Sequence, residues 1–363
     1  SMSRSAAVIG WGKSGQGAAG ALLSRDWCVS AFAAGPAATL FFDEVADVCV
    51  HVEEDADALV RAMLEARPDL VVVSPGIPPR HPAFSACEAA GIEVWGEVEL
   101  AWRLQEEGPH AGRPWLVVTG TNGKSTTTRM VRAALESAGP VASNINGDNM
   151  TSGVLTALMQ GKGATRAALE VDEMHVPAVA ADVDPAVFVY LNLSRDQLDR
   201  VGEIGTVEKR LRAGAAAHPN AVVVANCDDP LIVSAAADNP NVVWVAAGAG
   251  WGGDSAAYPR GGRVVRSGED WHLIPAFDGE ALPELNARPQ PQWWLEDIEL
   301  APEGPRATLR GPDGVSVLLE LKLPGRANLG NAAQAVAAAV AMGIDPAAAA
   351  AAISSVTEVA GRY

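Results

Sequence analysis

Apolar positions along this chain come in two rhythms. Short continuous runs, such as residues 6–9, 70–73 and 115–118, read as buried strands, while longer stretches between them carry apolar residues three and four apart, as amphipathic helices do. In the first part of the chain, strands at 28–32, 48–51 and 93–95 join those at 6–9 and 70–73. They alternate with helices at 16–23, 55–66, 82–90 and from 96 onward. Parallel strands need a crossover of about a dozen residues, so this alternation predicts an α/β fold with a parallel, doubly wound sheet. A polar, breaker-rich stretch at 106–113, Glu-Glu-Gly-Pro-His-Ala-Gly-Arg, predicts a boundary between a first domain, 1–108, and a second, 112–356.

Beyond it the alternation resumes, with strands at 115–118, 167–173, 186–191, 221–225 and 242–245 and helices at 127–138 and 207–216. Residues 248–305 are rich in Gly, Pro, Arg and Trp and lack a helical period. Trp251, Trp271, Trp293 and Trp294 there read as core or as an interaction surface rather than as a ligand site. Strands at 307–310 and 315–321 read as a hairpin around Gly311-Pro312-Asp313-Gly314. An Ala-rich helix and a last helix at 345–355 follow.

Composition narrows the functions. A chain of 363 residues is long enough for two cored domains. The formal net charge of −17 argues against nucleic acid as the partner, because a phosphate polymer is repelled outside a local basic patch; a single nucleotide in one loop stays compatible. The four cysteines, Cys28, Cys49, Cys87 and Cys227, are scattered with no Cys-x-x-Cys pair. They indicate neither a zinc site nor a disulfide framework and fit a reducing cytoplasm. No apolar run is long enough to span a bilayer.

The densest chemistry lies in Gly120-Thr121-Asn122-Gly123-Lys124-Ser125-Thr126, between a strand and a helix. Backbone N–H groups at such a turn face an anion, and the helix dipole favours negative charge there. Lys124 would reach the terminal phosphates of a nucleotide and the Ser125 hydroxyl would hold Mg2+. The general nucleotide loop has a further glycine five residues before Gly123; Val118 stands there, so this is a compact form. Downstream a strand ends in three carboxylates, Glu170, Asp172 and Glu173, and a nucleotide-triphosphate site needs one at a strand end to hold the same cation opposite Ser125; Asp172 and Glu173 read as exposed or as supporting the site. Near the start, Gly10-Trp11-Gly12-Lys13-Ser14-Gly15 follows a strand and opens a helix, the pattern of a phosphate-binding turn. The acidic residue that holds the ribose of NAD has no counterpart in Phe32-Ala33-Ala34-Gly35, which favours a different phosphate ligand or a structural turn over NAD, and an NAD oxidoreductase rests on Gly10 to Gly15 alone.

The compact loop resembles that of the Mur ligases, the ATP-dependent amide-bond ligases of peptidoglycan precursor synthesis. Gly10 to Gly15, Ser74-Pro75-Gly76-Ile77-Pro78 and Gly96-Glu97-Val98-Glu99-Leu100-Ala101 resemble the first domain of the branch that adds D-glutamate to UDP-N-acetylmuramoyl-L-alanine. Residues 144–150, Leu169-Glu170-Val171-Asp172-Glu173 and Asn192-Leu193-Ser194-Arg195-Asp196-Gln197-Leu198-Asp199-Arg200 are more similar to an amidating subunit that works with a glutaminase-like partner.

The resemblance implies a Rossmann-like domain in which Gly12, Lys13, Ser14 and Gly15 contact the UDP diphosphate. Ser74, Pro75 and Gly76 would lie near it or form an ordinary strand-end turn. It implies a P-loop ATPase domain in which Gly120 to Thr126, Asn328 and Asn331 bind ATP, and Lys124 and Glu170 serve catalysis. Ser125, Glu170, Gln197 (a His in the family) and a carbamylated Lys209 would hold metal. Asn328 reads equally as a helix cap and Lys209 as an exposed helix lysine. Asn226-Cys227-Asp228-Asp229-Pro230 would set an acidic pair near the nucleotide. Residues 258–262 and 286–289 resemble the frame of a zinc-binding insertion without its cysteines, so no zinc is expected.

The implied partners are UDP-N-acetylmuramoyl-L-alanine or a related carboxylate, and D-glutamate or ammonia as the amine, with a glutaminase-like subunit in the second case. Residues 357–363 resemble the hinge into a third domain that the 363 residues do not include. A non-catalytic receptor for a nucleotide and a UDP-sugar therefore stays open beside the ligase.

Overall fold

The computed structural model describes residues 3–35, 47–108, 111–145, 164–193, 201–249 and 257–357. They fall into two compact units. One holds the described residues up to Gly112; the other holds Arg113–Ile145 and the described residues from 164 on.

In the first unit, β1 (Ser5–Ile9), β2 (Cys28–Ala34), β3 (Cys49–Glu53), β4 (Leu70–Val73) and β5 (Glu93–Gly96) form a parallel sheet in the order β3-β2-β1-β4-β5. The connections carry α1 (Lys13–Leu23), α2 (Ala56–Glu65) and α3 (Pro82–Ala90), and α4 (Glu97–Glu106) follows β5. Asp55 starts α2 by accepting the Ala58 N–H at 2.8 Å. Gly91, with φ +70°, stops α3 in a conformation that glycine tolerates best. Phe32, Leu59, Met63 and Val71 fill the core, each contributing about 1.5–3 kcal/mol through burial. The strand order reverses around β1, so its C-terminal end faces the kind of crevice in which such sheets bind ligands. Helix α1 begins at Lys13, earlier than the apolar pattern predicts, because Gly12 takes an extended cap conformation. Lys13, Ser14 and Gly15 therefore belong to the first helical turn.

In the second unit, β6 (Trp115–Thr119), β7 (Val141–Ser143), β8 (Arg166–Glu170), β9 (Val187–Tyr190), β10 (Val222–Asn226) and β11 (Val242–Val245) form a parallel sheet in the order β11-β10-β9-β6-β8-β7. Six described helices accompany it: α5 (Lys124–Glu136), α6 (Val176–Val183), α7 (Val201–Ala217), α8 (Pro230–Ala236), α9 (Arg326–Ala341) and α10 (Pro346–Ser354). Helix α9 packs on α5 and α10. Leu329, Val336 and Ile353 share one core with Leu116, Val131 and Val189. A Cβ on Gly330 would fall 1.9 Å from the Ala247 carbonyl oxygen, so α9 meets the backbone beyond β11 only because this residue has no side chain.

Residues 248–305 hold more order than their composition predicts. β12 (Arg263–Ser267) and β13 (Asp270–Ile274) pair antiparallel, and β14 (Trp294–Ala301) joins β15 (Gly304–Arg310) and β16 (Ser316–Glu320) in a three-stranded antiparallel sheet. The expected hairpin is β15–β16, and β14 is an addition on its free edge. Its alternation is hidden by a register shift between Glu296 and Glu299, with Asp297 at φ +52°. Trp293 enters the main core. Trp271 anchors a small separate cluster with Tyr258 and Leu273, its indole N–H donating to the Cys227 carbonyl at 2.9 Å. Trp294 is partly exposed, and Trp251 lies outside the described residues. Among the described residues no helix is long and apolar enough to cross a membrane.

Candidate active site

Strand β6 delivers the loop. Gly120, at φ +143°, lies so close to the chain after β9 that a Cβ there would sit 2.8 Å from the Leu191 Cβ. Asn192 then fixes the loop's course. Its carbonyl accepts from the Thr121 N–H at 2.8 Å, and its side chain accepts from the Asn122 N–H at 3.0 Å and donates to the Asn122 carbonyl at 2.9 Å. Gly123, at φ +82°, turns the chain into α5 and abuts the Asn331 side-chain amide from α9. The first intrahelical bond of α5 is from the Thr127 N–H to the Gly123 carbonyl at 2.9 Å. The N–H groups of Lys124, Ser125 and Thr126 thus stand at the helix start with no intrahelical acceptor, the arrangement that suits a phosphate.

Lys124 curls back over the loop, donating to the Gly120 carbonyl at 2.6 Å and pairing with Glu173 at 3.4 Å. The Ser125 hydroxyl donates to both carboxylate oxygens of Glu170, at 2.9 and 3.0 Å. Adjacent parallel strands bring this about, because β6 and β8 pair Val118 with Glu170. Asn144 holds Glu170 from the other side, donating to its carbonyl at 2.8 Å and accepting from its N–H at 2.9 Å. A serine hydroxyl beside a carboxylate is a hard-oxygen donor set, and with the helix start it fits Mg2+ and a nucleotide triphosphate.

Of the two readings given for Glu173, exposed or supporting the site, the structure agrees with the second: Glu173 is buried. Strand β8 ends at Glu170, and the chain tightens into a 3-10 turn, Glu173–His175, which Asp172 caps by accepting the Met174 N–H at 3.0 Å. That turn brings Glu173 round to Lys124. Asn328 is not the cap of its helix; Gly325 is. Its amide donates to the Pro324 carbonyl at 2.7 Å, and its side-chain oxygen accepts from Asn331 at 3.2 Å. Lys209 lies exposed on α7, and among the described residues no hydrogen bond or ion pair joins it to Ser125 or Glu170. Gln197, residues 146–150 and residues 358–363 lie outside the described residues.

Of the acidic pair, Asp228 is engaged by Arg288 and the Gly248 N–H. Asp229 caps α8 and accepts the Leu193 N–H at 2.8 Å, which steadies the chain next to Asn192. Burial pushes the Asp229 carboxyl above the usual range, against the downward pull of its backbone N–H donors. Burial also raises the neighbouring Cys227 thiol to about 12.

In the first unit, Gly10 takes φ +93°, and a Cβ on Gly15 would fall 1.8 Å from the Gly10 carbonyl oxygen. Ser74 donates to that carbonyl at 3.2 Å. Ser14 donates to the buried Glu97 carboxylate at 2.7 Å. Gly12, Lys13, Pro75 and Gly76 are exposed. Asn144, Asn192 and Glu97 are neighbours whose contacts spacing did not single out. Asn192 alone had a local signal, a polar turn residue directly after an apolar strand.

Residues 118–257 match the family described as the Mur ligase middle domain. The chain is 35% identical over 291 residues to the UDP-N-acetylmuramoylalanine–D-glutamate ligase of Frankia casuarinae, covering 76% of this chain and 55% of that protein. It is 41% identical over 180 residues to the ligase of the same name from Mycolicibacterium vanbaalenii, covering 49% and 35%. The matched segment, residues 118–257, belongs to the Mur ligase middle-domain family. The chain spans about half the length of the first relative, or 55%, and less of the second. Its fold is that of the pseudomurein peptide ligase type C from Methanothermus fervidus (TM-score 0.61, 20% identity, covering 98% of this chain and 71% of that one). It is also that of the UDP-N-acetylmuramate:L-alanyl-gamma-D-glutamyl-meso-diaminopimelate ligase from Neisseria meningitides (TM-score 0.62, 17% identity, covering 98% and 99%). The middle-domain match carries the phosphate loop, Glu170, Gln197 and Lys209, while Asn328 and Asn331 lie beyond it on α9.

Proposed function

We propose that this chain is the substrate- and nucleotide-binding part of a cytoplasmic, ATP-dependent ligase that joins D-glutamate to UDP-N-acetylmuramoyl-L-alanine. The observation that carries the reading is the meeting of Ser125 and Glu170 at 2.9 Å beside the loop that bears Lys124. The names of the relatives support the choice of substrates.

In this reading the substrate carboxylate attacks the γ-phosphorus of ATP, the bond to the ADP oxygen breaks, and an acyl phosphate forms. The D-glutamate amine then attacks the acyl carbon, expels phosphate and loses a proton. Lys124 and the N–H groups of the first α5 turn neutralise charge on the transferring phosphoryl group. Bound Mg2+, held by Ser125 and Glu170, adds charge neutralisation. Asn328 and Asn331 face the nucleoside, and Gly12, Lys13, Ser14 and Gly15, with Ser74 to Gly76, hold the UDP diphosphate. Catalysis of this kind is positioning and electrostatics rather than covalent side-chain chemistry.

Calorimetric titration with UDP-N-acetylmuramoyl-L-alanine tests the substrate assignment. Micromolar binding, about 8 kcal/mol, is expected. No binding, while MgATP still binds, would overturn the UDP substrate and leave the nucleotide site standing.

A further inference from the structure

Glu173 is a charged side chain that the chemistry above leaves without a role. It is 9% exposed, and its partner is the Lys124 ammonium at 3.4 Å. A carboxylate this far from water is tolerated because a cation lies beside it. The converse also holds: the charge of Lys124 is already offset before any phosphate arrives. With Glu170 on the Ser125 hydroxyl and Glu173 on Lys124, the helix start carries two carboxylates against one lysine, and the side-chain charge there is net negative.

We propose that Glu173 is a positioning residue that makes the loop discriminate between metal-complexed and bare nucleoside triphosphate. This rests on the ATP reading of the loop. A bare triphosphate carries about four negative charges, enters a net-negative site and competes with Glu173 for Lys124. A metal-complexed triphosphate carries about two fewer, and its cation meets the Ser125 and Glu170 oxygens. Repulsion scales with the product of the charges, so Glu173 disfavours the bare form more strongly.

The test is Glu173→Gln, which keeps the shape and removes the charge. Binding of the non-hydrolysable β,γ-imido analogue of ATP to the full chain is measured in EDTA and again in excess Mg2+. Affinity for the bare analogue should rise by about tenfold or more, while affinity in Mg2+ should stay within about threefold. A thermal melt verifies folding; should the Gln variant not fold, Glu173→Ser also removes the charge and takes its place. A parallel fall in both affinities would overturn the proposal, because it would mean that Glu173 only holds Lys124 in shape. An unchanged ratio would overturn it too. Failure of the unmodified chain to bind the analogue even in Mg2+ is a distinct result and would overturn the ATP reading itself.

Discussion

Asn144 bonds twice to one residue, donating to the Glu170 carbonyl and accepting from its N–H, and so fixes the end of β8 where the carboxylate meets Ser125. Asn144→Ala leaves both backbone groups without these partners and should cost about 1–3 kcal/mol, read as a lower urea midpoint. Because Glu170 is then less firmly held, Mg2+-dependent nucleotide affinity should fall by about tenfold, as is usual when a ligand's supporting contact is lost. At this scale the sequence displays chemistry better than geometry. That Lys124 and Ser125 open a helix after a glycine turn was legible because a strand, a glycine turn, a lysine and a hydroxyl come in order, whereas Glu170 was picked out by resemblance. The burial of Glu173 was not legible, because it depends on the chain turning back after β8, and spacing from Glu170 cannot say which way a turn goes.

Gly330 decides how α9 sits, its backbone lying against the Ala247 carbonyl where a methyl would intrude to 1.9 Å. Gly330→Ala improves intrinsic helix propensity by about 1 kcal/mol, yet the clash should dominate and destabilise the protein by about 3 kcal/mol. Nucleotide affinity should drop with it, since the next residue, Asn331, abuts Gly123. Denaturant unfolding and nucleotide titration of the same variant check both parts. The strands and helices themselves were largely legible from apolar runs and periods. Helix starts were not: α1 and α5 begin three residues before the apolar pattern does, at Lys13 and Lys124. The first turn of a helix needs no apolar face and can be built from polar residues after an extended or left-handed glycine. Strand β14 escaped notice for the opposite reason, since its bulge breaks the period that reveals strands.

Across the whole molecule, alkaline pH should be a weak point. Burial raises the Cys227 thiol from 9.0 to about 12 and the Tyr258 hydroxyl from 10.0 to about 12. Each group stays protonated in the folded chain while the unfolded chain loses the proton first. The stability they lend is full below about pH 9 and is lost as pH rises toward 12, at up to about 1.4 kcal/mol per pH unit for each group. Melting temperatures measured between pH 8 and 11 should fall, and Cys227→Ala should fall less steeply. The same scale gives the covering helices a further meaning. The middle-domain match ends at residue 257, yet α9 and α10 supply core to the sheet that carries the phosphate loop. A boundary drawn where sequence similarity stops would cut through a hydrophobic core and leave Leu116, Val131 and Val189 without their cover. What evolves as a recognisable module and what folds as one are therefore different lengths of this chain, and the folding unit is the longer.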